Sequence, residues 1–140
     1  MADLTRTGNQ VAAVTETKPH MRFYRVGVDF LQGQAGFIDT DGLVKLTDID
    51  TAATAAKFIG LALAPISAGE AGTFIWDGSV AGFDLSGLQY GAQVFLSVNP
   101  GALADTDGAA GGPVGRVLPM SDRDLTKVLY IKADLVAGNP

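Results

Sequence analysis

Short runs in which apolar and polar positions alternate recur along this chain of 140 residues, and most are closed by glycine, proline, asparagine or aspartate. In the first, Arg22 to Asp29, Tyr24, Val26 and Val28 fall on one face and Phe23 on the other, the period of two that a pleated strand imposes. Ala35 to Ile38 and Leu43 to Leu46 flank Asp39-Thr40-Asp41-Gly42, a glycine-containing turn of hairpin length. Phe58 to Leu63 is a continuous apolar run of strand length. Pro65 and a turn over Ser67 to Gly72 follow it, then a strand over Thr73 to Trp76 that Asp77-Gly78 is expected to end. Gly82 to Gly87 leads into Ala92 to Val98, where Ala92, Val94, Leu96 and Val98 share one face, and Asn99-Pro100-Gly101 supplies turn chemistry. Ala104 to Gly112 holds almost nothing that packs and reads as a surface loop. Val114 to Leu118, a turn over Ser121 to Asp124 and the alternating stretch Thr126 to Lys132 complete the series.

Two segments depart from this rhythm. Asp48 to Lys57 is the one plausible helix: Asp48 or Asp50 can cap an alanine-rich turn or two, with an ordered loop as the alternative, since pieces so short are marginal alone. Residues 1 to 20 are polar and aperiodic and end in Lys18-Pro19-His20, so they are expected to form either an extended arm or a terminus without a role. Val11 to Val14 would give such an arm apolar surface to bury against a neighbour. The expected fold class is therefore mostly β, a compact small β-barrel or β-sandwich over 21–140, with an extended N-terminal arm over 1–20 and at most one short helix.

A weak internal repeat runs through the strands at an offset of 55. Gly60 meets Gly115, Leu63 meets Leu118, and Phe74-Ile75-Trp76 meets Leu129-Tyr130-Ile131. One hairpin design used twice and independent convergence on hairpin chemistry both account for it.

Composition narrows the chemistry. A chain of this size buries roughly 70% of its unfolded surface, enough for a core without covalent staples. It contains no cysteine and one histidine, which excludes disulfides, thiolate zinc and multi-histidine metal sites. Net charge is −5, and its distribution is uneven: residues 1–25 carry +2 and the remainder −7. That balance argues against general nucleic-acid binding, which needs clustered cations. Thirteen of the fifteen acids are aspartate, suited to turns rather than helix faces. The longest apolar run, Phe58 to Pro65, is far too short to span a bilayer, and Met1 to Arg6 lack the apolar core of a signal peptide, so a soluble protein made in the cytosol is expected.

No arrangement of reactive groups stands out. His20 sits beside Pro19 in the expected arm, where a solvent or interface role outweighs that of a catalytic base. The pairs Asp39/Asp41, Asp105/Asp107 and Asp122/Asp124 lie in turns, and the first lacks the further ligands of a calcium loop. Neither glycine-rich stretch, 69–72 or 108–115, matches a phosphate-binding loop. Trp76 suits core packing in a strand, with an interface contact as the alternative. An enzyme is not expected, and no cofactor is implied.

Gly60-Leu-Ala-Leu63, Ala68-Gly-Glu70, Trp76-Asp-Gly78, Leu88 to Ser97, Pro100-Gly-Ala-Leu103 and Val114-Gly-Arg-Val-Leu118, taken in order, resemble the small capsid cement, or decoration, proteins of tailed bacteriophages. The resemblance covers about residues 35–133 and rests on the order of many short motifs. It implies a compact β subunit, made in the bacterial cytoplasm, that assembles as a homotrimer on the outer capsid surface and strengthens the shell. Its partners would be the major capsid protein and further copies of itself, with no direct nucleic acid or membrane contact. The N-terminal residues match no family motif. From their position in the arm and its flank, Leu4, Arg6, Val11, Val14, Lys18 and Arg22 are expected at a capsid or subunit interface, where an arm can add a strand to an open sheet edge. The alternative is a carbohydrate- or host-surface-binding β module of the head-fibre kind.

Overall fold

A computed structural model describes residues 3–6, 11–14, 19–47, 57–97, 99–105 and 113–133. Alternation and turn chemistry produce a mostly β protein, as the sequence predicts. Its strands are β1 (Ala12–Ala13), β2 (His20–Arg25), β3 (Ala35–Ile38), β4 (Val44–Leu46), β5 (Phe58–Ala62), β6 (Ala71–Ala81), β7 (Gln93–Leu96), β8 (Leu103–Ala104), β9 (Gly115–Pro119) and β10 (Lys127–Lys132). They join in one curled sheet in the order β4-β3-β5-β6-β10-β9-β7-β8, with β1 and β2 added along β6. The short helix expected over Asp48 to Lys57 lies outside the described residues, apart from Lys57, which is in a turn.

The sheet is one strand pattern used twice. Leu61 pairs with Ile75 and Ala62 with Phe74 between β5 and β6, and the residues 55 positions on, Arg116 with Tyr130 and Val117 with Leu129, pair between β9 and β10. The β3 to β5 pairs Ala35 with Leu61 and Gly36 with Gly60 return as Gln93 with Arg116 and Val94 with Gly115. Phe37 with Lys45 and Ile38 with Val44 return as Phe95 with Ala104 and Leu96 with Leu103. Arg22 with Phe74, between β2 and β6, returns as Val80 with Leu129, between β6 and β10. Turn bonds repeat as well: the Gly33 amide donates to Ala62 O and the Gly91 amide to Val117 O, both at 2.7 Å, and both glycines have φ of 85°. The first unit is thus β2 to β5 plus the N-terminal half of β6, and the second is the C-terminal half of β6 plus β7 to β10. β6 serves both.

That sharing corrects one expectation. Asp77-Gly78 does not turn the chain; it lies inside β6, at the point where the strand passes from one unit to the other. The Asp77 carboxylate is engaged from other strands: it accepts a bond from the Tyr130 hydroxyl at 2.9 Å and lies 3.6 Å from Lys132 Nζ. A Cβ at Gly78 would stand 2.8 Å from Pro19 Cβ, so the missing side chain makes room for the incoming chain. Tertiary partners override the local turn preference.

Each unit encloses apolar side chains. Val26, Phe30, Val44, Ala62, Ile66 and Phe74 fill the first, and a parallel bridge between Val26 and Val44 brings the end of β2 against β4 so that the strands curl around them. A larger cluster fills the second unit and continues over the outer face of the first, through Val80, Leu85, Val94, Leu96, Leu103, Val117 and Leu129 to Ile75 and Leu61. Both faces of β6 are therefore buried around Phe74-Ile75, which is why its sequence does not alternate there.

The described parts of the N-terminal stretch are built into the chain's own sheet. In the first unit the Gly27 amide donates directly to Val44 O; in the second, residues 3–6 stand between the equivalent segments, with the Asp84 amide donating to Thr5 O and the Leu4 amide to Leu103 O. β1 pairs with the end of β6, Ala12 with Ala81 and Ala13 with Val80.

Candidate functional site

Of the residues expected at an interface, Val11 and Val14 are buried in this chain's own fold, so their apolar surface is covered without a neighbour. Leu4 is partly buried against the larger cluster. Arg6 donates from Nη1 to Gln32 O at 2.6 Å and bridges to Phe83. Asp3 anchors the stretch further, accepting bonds from the Ser97 hydroxyl and, at 2.7 Å, from Asn99 Nδ2. Lys18 lies outside the described residues. Arg22 is exposed on β2, its guanidinium 5.2 Å from the Tyr24 ring centroid. The structure thus separates the six: four are described as fixed in the body, and Arg22 faces solvent.

What the sequence reading passed over is the other face of β2. Alternation directs Tyr24 inward, where its ring meets Phe74 edge-on at 5.8 Å, and turns Met21 and Phe23 outward. Phe23 is 70% exposed and Met21 45%. Arg25, also exposed, shares their face and donates from Nη1 to Gly69 O at 2.8 Å. Among the described residues, positions 20–25 pair with a strand on one side only, β6. The face is an apolar pair with Arg25 beside it and Glu70 beyond the Arg25 end, while Arg22 lies on the opposite face with Tyr24. The signal was present in the alternation, since Phe23 stood alone opposite three apolar neighbours.

The polar groups elsewhere hold loops in place. Lys45 Nζ bonds Asp39 at 2.7 Å and Asp41 at 3.2 Å across the β3–β4 turn. The Lys45 ammonium, then the Thr40 amide, hold the Asp39 carboxyl below its usual range; the Leu43 amide, then Lys45, do the same for Asp41, and the two carboxylates raise Lys45. The Ser86 hydroxyl and amide lower Asp84, and those of Thr126 lower Asp124. All four carboxyls shift away from the raised value that a general acid at neutral pH needs.

His20 stacks on Trp76 with ring centroids 5.1 Å apart, and its Nδ1 lies 3.7 Å from Asp77. The stack ties β2 to β6 at the point where the two units meet. The Tyr130 hydroxyl, the neighbouring proton donor, is engaged by that same Asp77. Among the described residues no group of three histidine, aspartate or glutamate side chains is placed to hold a metal ion, and no helix is long and apolar enough to cross a membrane. A cleft of about 270 Å³ opens between Asp3, Leu4, Asp84, Leu88 and Asp105, beyond the C-terminal end of β6. In comparisons with known proteins, no protein-family model, curated protein or solved structure matches the chain.

Proposed function

We propose that this protein is a decoration subunit of a tailed-phage capsid, binding the outer surface of the shell as a homotrimer and stabilising it without catalysing a reaction. The observation that carries the reading is the outward face of β2, where Met21 and Phe23 stand exposed beside Arg25 on a strand paired to β6. Exposed apolar residues held by a sheet form a ready contact surface, and aromatics are enriched where binding energy concentrates. The ordered motifs that resemble cement proteins support it too, because they fall on the strands and turns of the repeated units, Gly60 to Ala62 in β5 and Gly115 to Leu118 in β9 among them.

Symmetric repetition on a shell would multiply a modest contact through effective concentration. The test is co-sedimentation of the purified chain with expanded capsids of the phage that encodes it, before and after Phe23→Ser. Saturable binding that protects capsids from heat or chelator, and that the substitution weakens, is the expected result. A chain that ignores capsids at tens of micromolar, or that instead binds glycans on an array, refutes the reading.

A further inference from the structure

The chain covers both ends of its own sheet. At the β4 end Val26 bridges to Val44 and the Gly27 amide donates to Val44 O; at the β8 end Asp3 bridges to Ala104 and the Leu4 amide donates to Leu103 O. The outer edge of β2 is left open. Val26, just past the strand, donates its amide to Glu70 O and accepts at its carbonyl from the Gly69 amide, so both groups face the β6 side. Alternation then points those of Arg22 and Tyr24 toward β6 and those of Met21, Phe23 and Arg25 away from it, where no strand pairs with them among the described residues. In the second unit the same edge is closed. Counting from the equivalent pairs Arg22 with Phe74 and Val80 with Leu129, Met21, Phe23 and Arg25 correspond to Ser79, Ala81 and Phe83. There the Val14 amide donates to Ser79 O at 2.8 Å, Ala12 pairs antiparallel with Ala81, and Arg6 bridges to Phe83. An open edge whose copy is closed by an antiparallel strand is a place for strand addition, and here Met21 at 45% and Phe23 at 70% exposure flank it with apolar surface.

We infer that the open edge of β2 binds an extended, acidic and apolar segment of another protein as an added antiparallel strand. Backbone bonds to Met21, Phe23 and Arg25 supply the attachment, and side chains opposite one another on the two strands share a face, so β2 sets what each position of the segment favours. Opposite Arg25, Tyr24, Phe23, Arg22 and Met21 in turn, the favoured order is acidic, polar, apolar, acidic, apolar. β2 holds His20, Arg22 and Arg25 and no carboxylate. Arg22 and Arg25 are exposed on opposite faces, and among the described residues neither guanidinium forms an ion pair, so both faces of the strand offer an acid a partner. Charge also selects against a second copy: with the β4 and β8 ends covered, the long edge it could offer among the described residues is its own β2, and two such cationic strands repel. The inference goes beyond the proposed function, because it names the segment the edge recognises and holds whichever protein presents it.

The test titrates two end-blocked peptides, Glu-Thr-Val-Glu-Val and Lys-Thr-Val-Lys-Val, into the isotope-labelled full chain, with backbone amide shifts and hydrogen exchange followed by NMR. At millimolar concentration the acidic peptide is expected to shift the amides of Met21, Phe23 and Arg25 and slow their exchange, and the basic peptide to leave them unchanged. N-methylation of the first valine removes the donor aimed at Phe23 O and should abolish binding, whereas N-methylation of the threonine, opposite Tyr24, alters an amide that points away and should preserve it. Phe23→Ser, and separately Arg22→Glu with Arg25→Glu, should each weaken binding of the acidic peptide by about tenfold while circular dichroism stays unchanged, and the charge reversal should make the basic peptide the better ligand. Three amides that do not respond at any peptide concentration, binding that survives N-methylation of the first valine, or protection of the same amides by self-association without peptide overturns the inference. Capsid sedimentation is scored separately. Peptide binding by a chain that ignores capsids refutes the proposed function alone, and capsid binding by a chain whose β2 amides no peptide protects refutes the strand addition alone.

Discussion

Phe74→Ala tests whether the two units stand or fall together. Phe74 is fully buried in the first unit, meeting Phe30 edge-on at 5.2 Å and 87° and Tyr24 at 5.8 Å and 77°. Truncating a core phenylalanine costs about 3–5 kcal/mol, and each edge-to-face pair contributes about 0.5–1.5 kcal/mol beyond its buried area. Two such pairs place the expected cost near the top of that range, about 5 kcal/mol, against a total stability of about 5–15 kcal/mol for a domain. With a urea slope of about 2 kcal/mol per molar, the midpoint should fall by roughly 2.5 M. Trp76, the single tryptophan, packs against the other core, so its fluorescence reports a cluster the substitution does not touch. Because β6 belongs to both units, fluorescence and far-UV circular dichroism should shift together. A midpoint change below about 0.5 M would refute the packing argument. A dichroism loss that leaves the Trp76 transition in place would show that the units unfold separately.

Three further outcomes follow from the same structure. A Cβ at Gly60 would stand 2.2 Å from Ile75 O and one at Gly115 2.3 Å from Tyr130 O, so alanine at either should lower the thermal midpoint sharply. Gly42→Ala, with φ of 84° but open space, should cost only about 1 kcal/mol in a thermal melt. Because the Asp39 and Asp41 carboxyls are depressed in the folded state, their contribution is present above the unfolded value near pH 4 and is lost as pH falls through the lowered folded values; amide exchange across the β3–β4 turn should rise there, and Lys45→Met should reduce that acid-dependent change. Lys45, raised, should keep its contribution until pH climbs past its ordinary value of 10.5. Phe23→Ser should leave the urea midpoint of the monomer within the equivalent of about 0.5 kcal/mol, since the ring is largely in solvent.

Local pattern made most strands legible. Tyr24 and Val26 inside with Phe23 outside, and Val94 and Leu96 buried beside exposed Gln93, follow directly from the period of two. β6 was legible only in part. Its Asp-Gly pair carries turn chemistry, and the groups that hold it extended, Tyr130, Lys132, His20 and Pro19, come from remote parts of the chain. The repeat was visible at Gly60 and Gly115 because a close backbone approach admits nothing larger. It was invisible at Ala35 and Gln93, which differ in identity, and at Phe37 and Phe95, which are identical but lie outside the spacing that relates Gly60 to Gly115. The N-terminal contacts were also illegible: Asp3 to Ser97 and Asn99 joins opposite regions of the sequence with no pattern between them. The exposed face of β2 could be read from alternation, because Phe23 stands opposite Tyr24 and Val26.

The shared strand also governs how the chain can go wrong. A slip of one residue along a strand exchanges its two faces. In β6 such a slip would turn Phe74 out of the first core and Ile75 out of the second, and would move Val80 away from Leu129 at the same time. An eleven-residue strand offers many alternative alignments, yet here each wrong one forfeits the interiors of both units together. The longest strand among the described residues is thereby the one whose alignment is most heavily penalised for error.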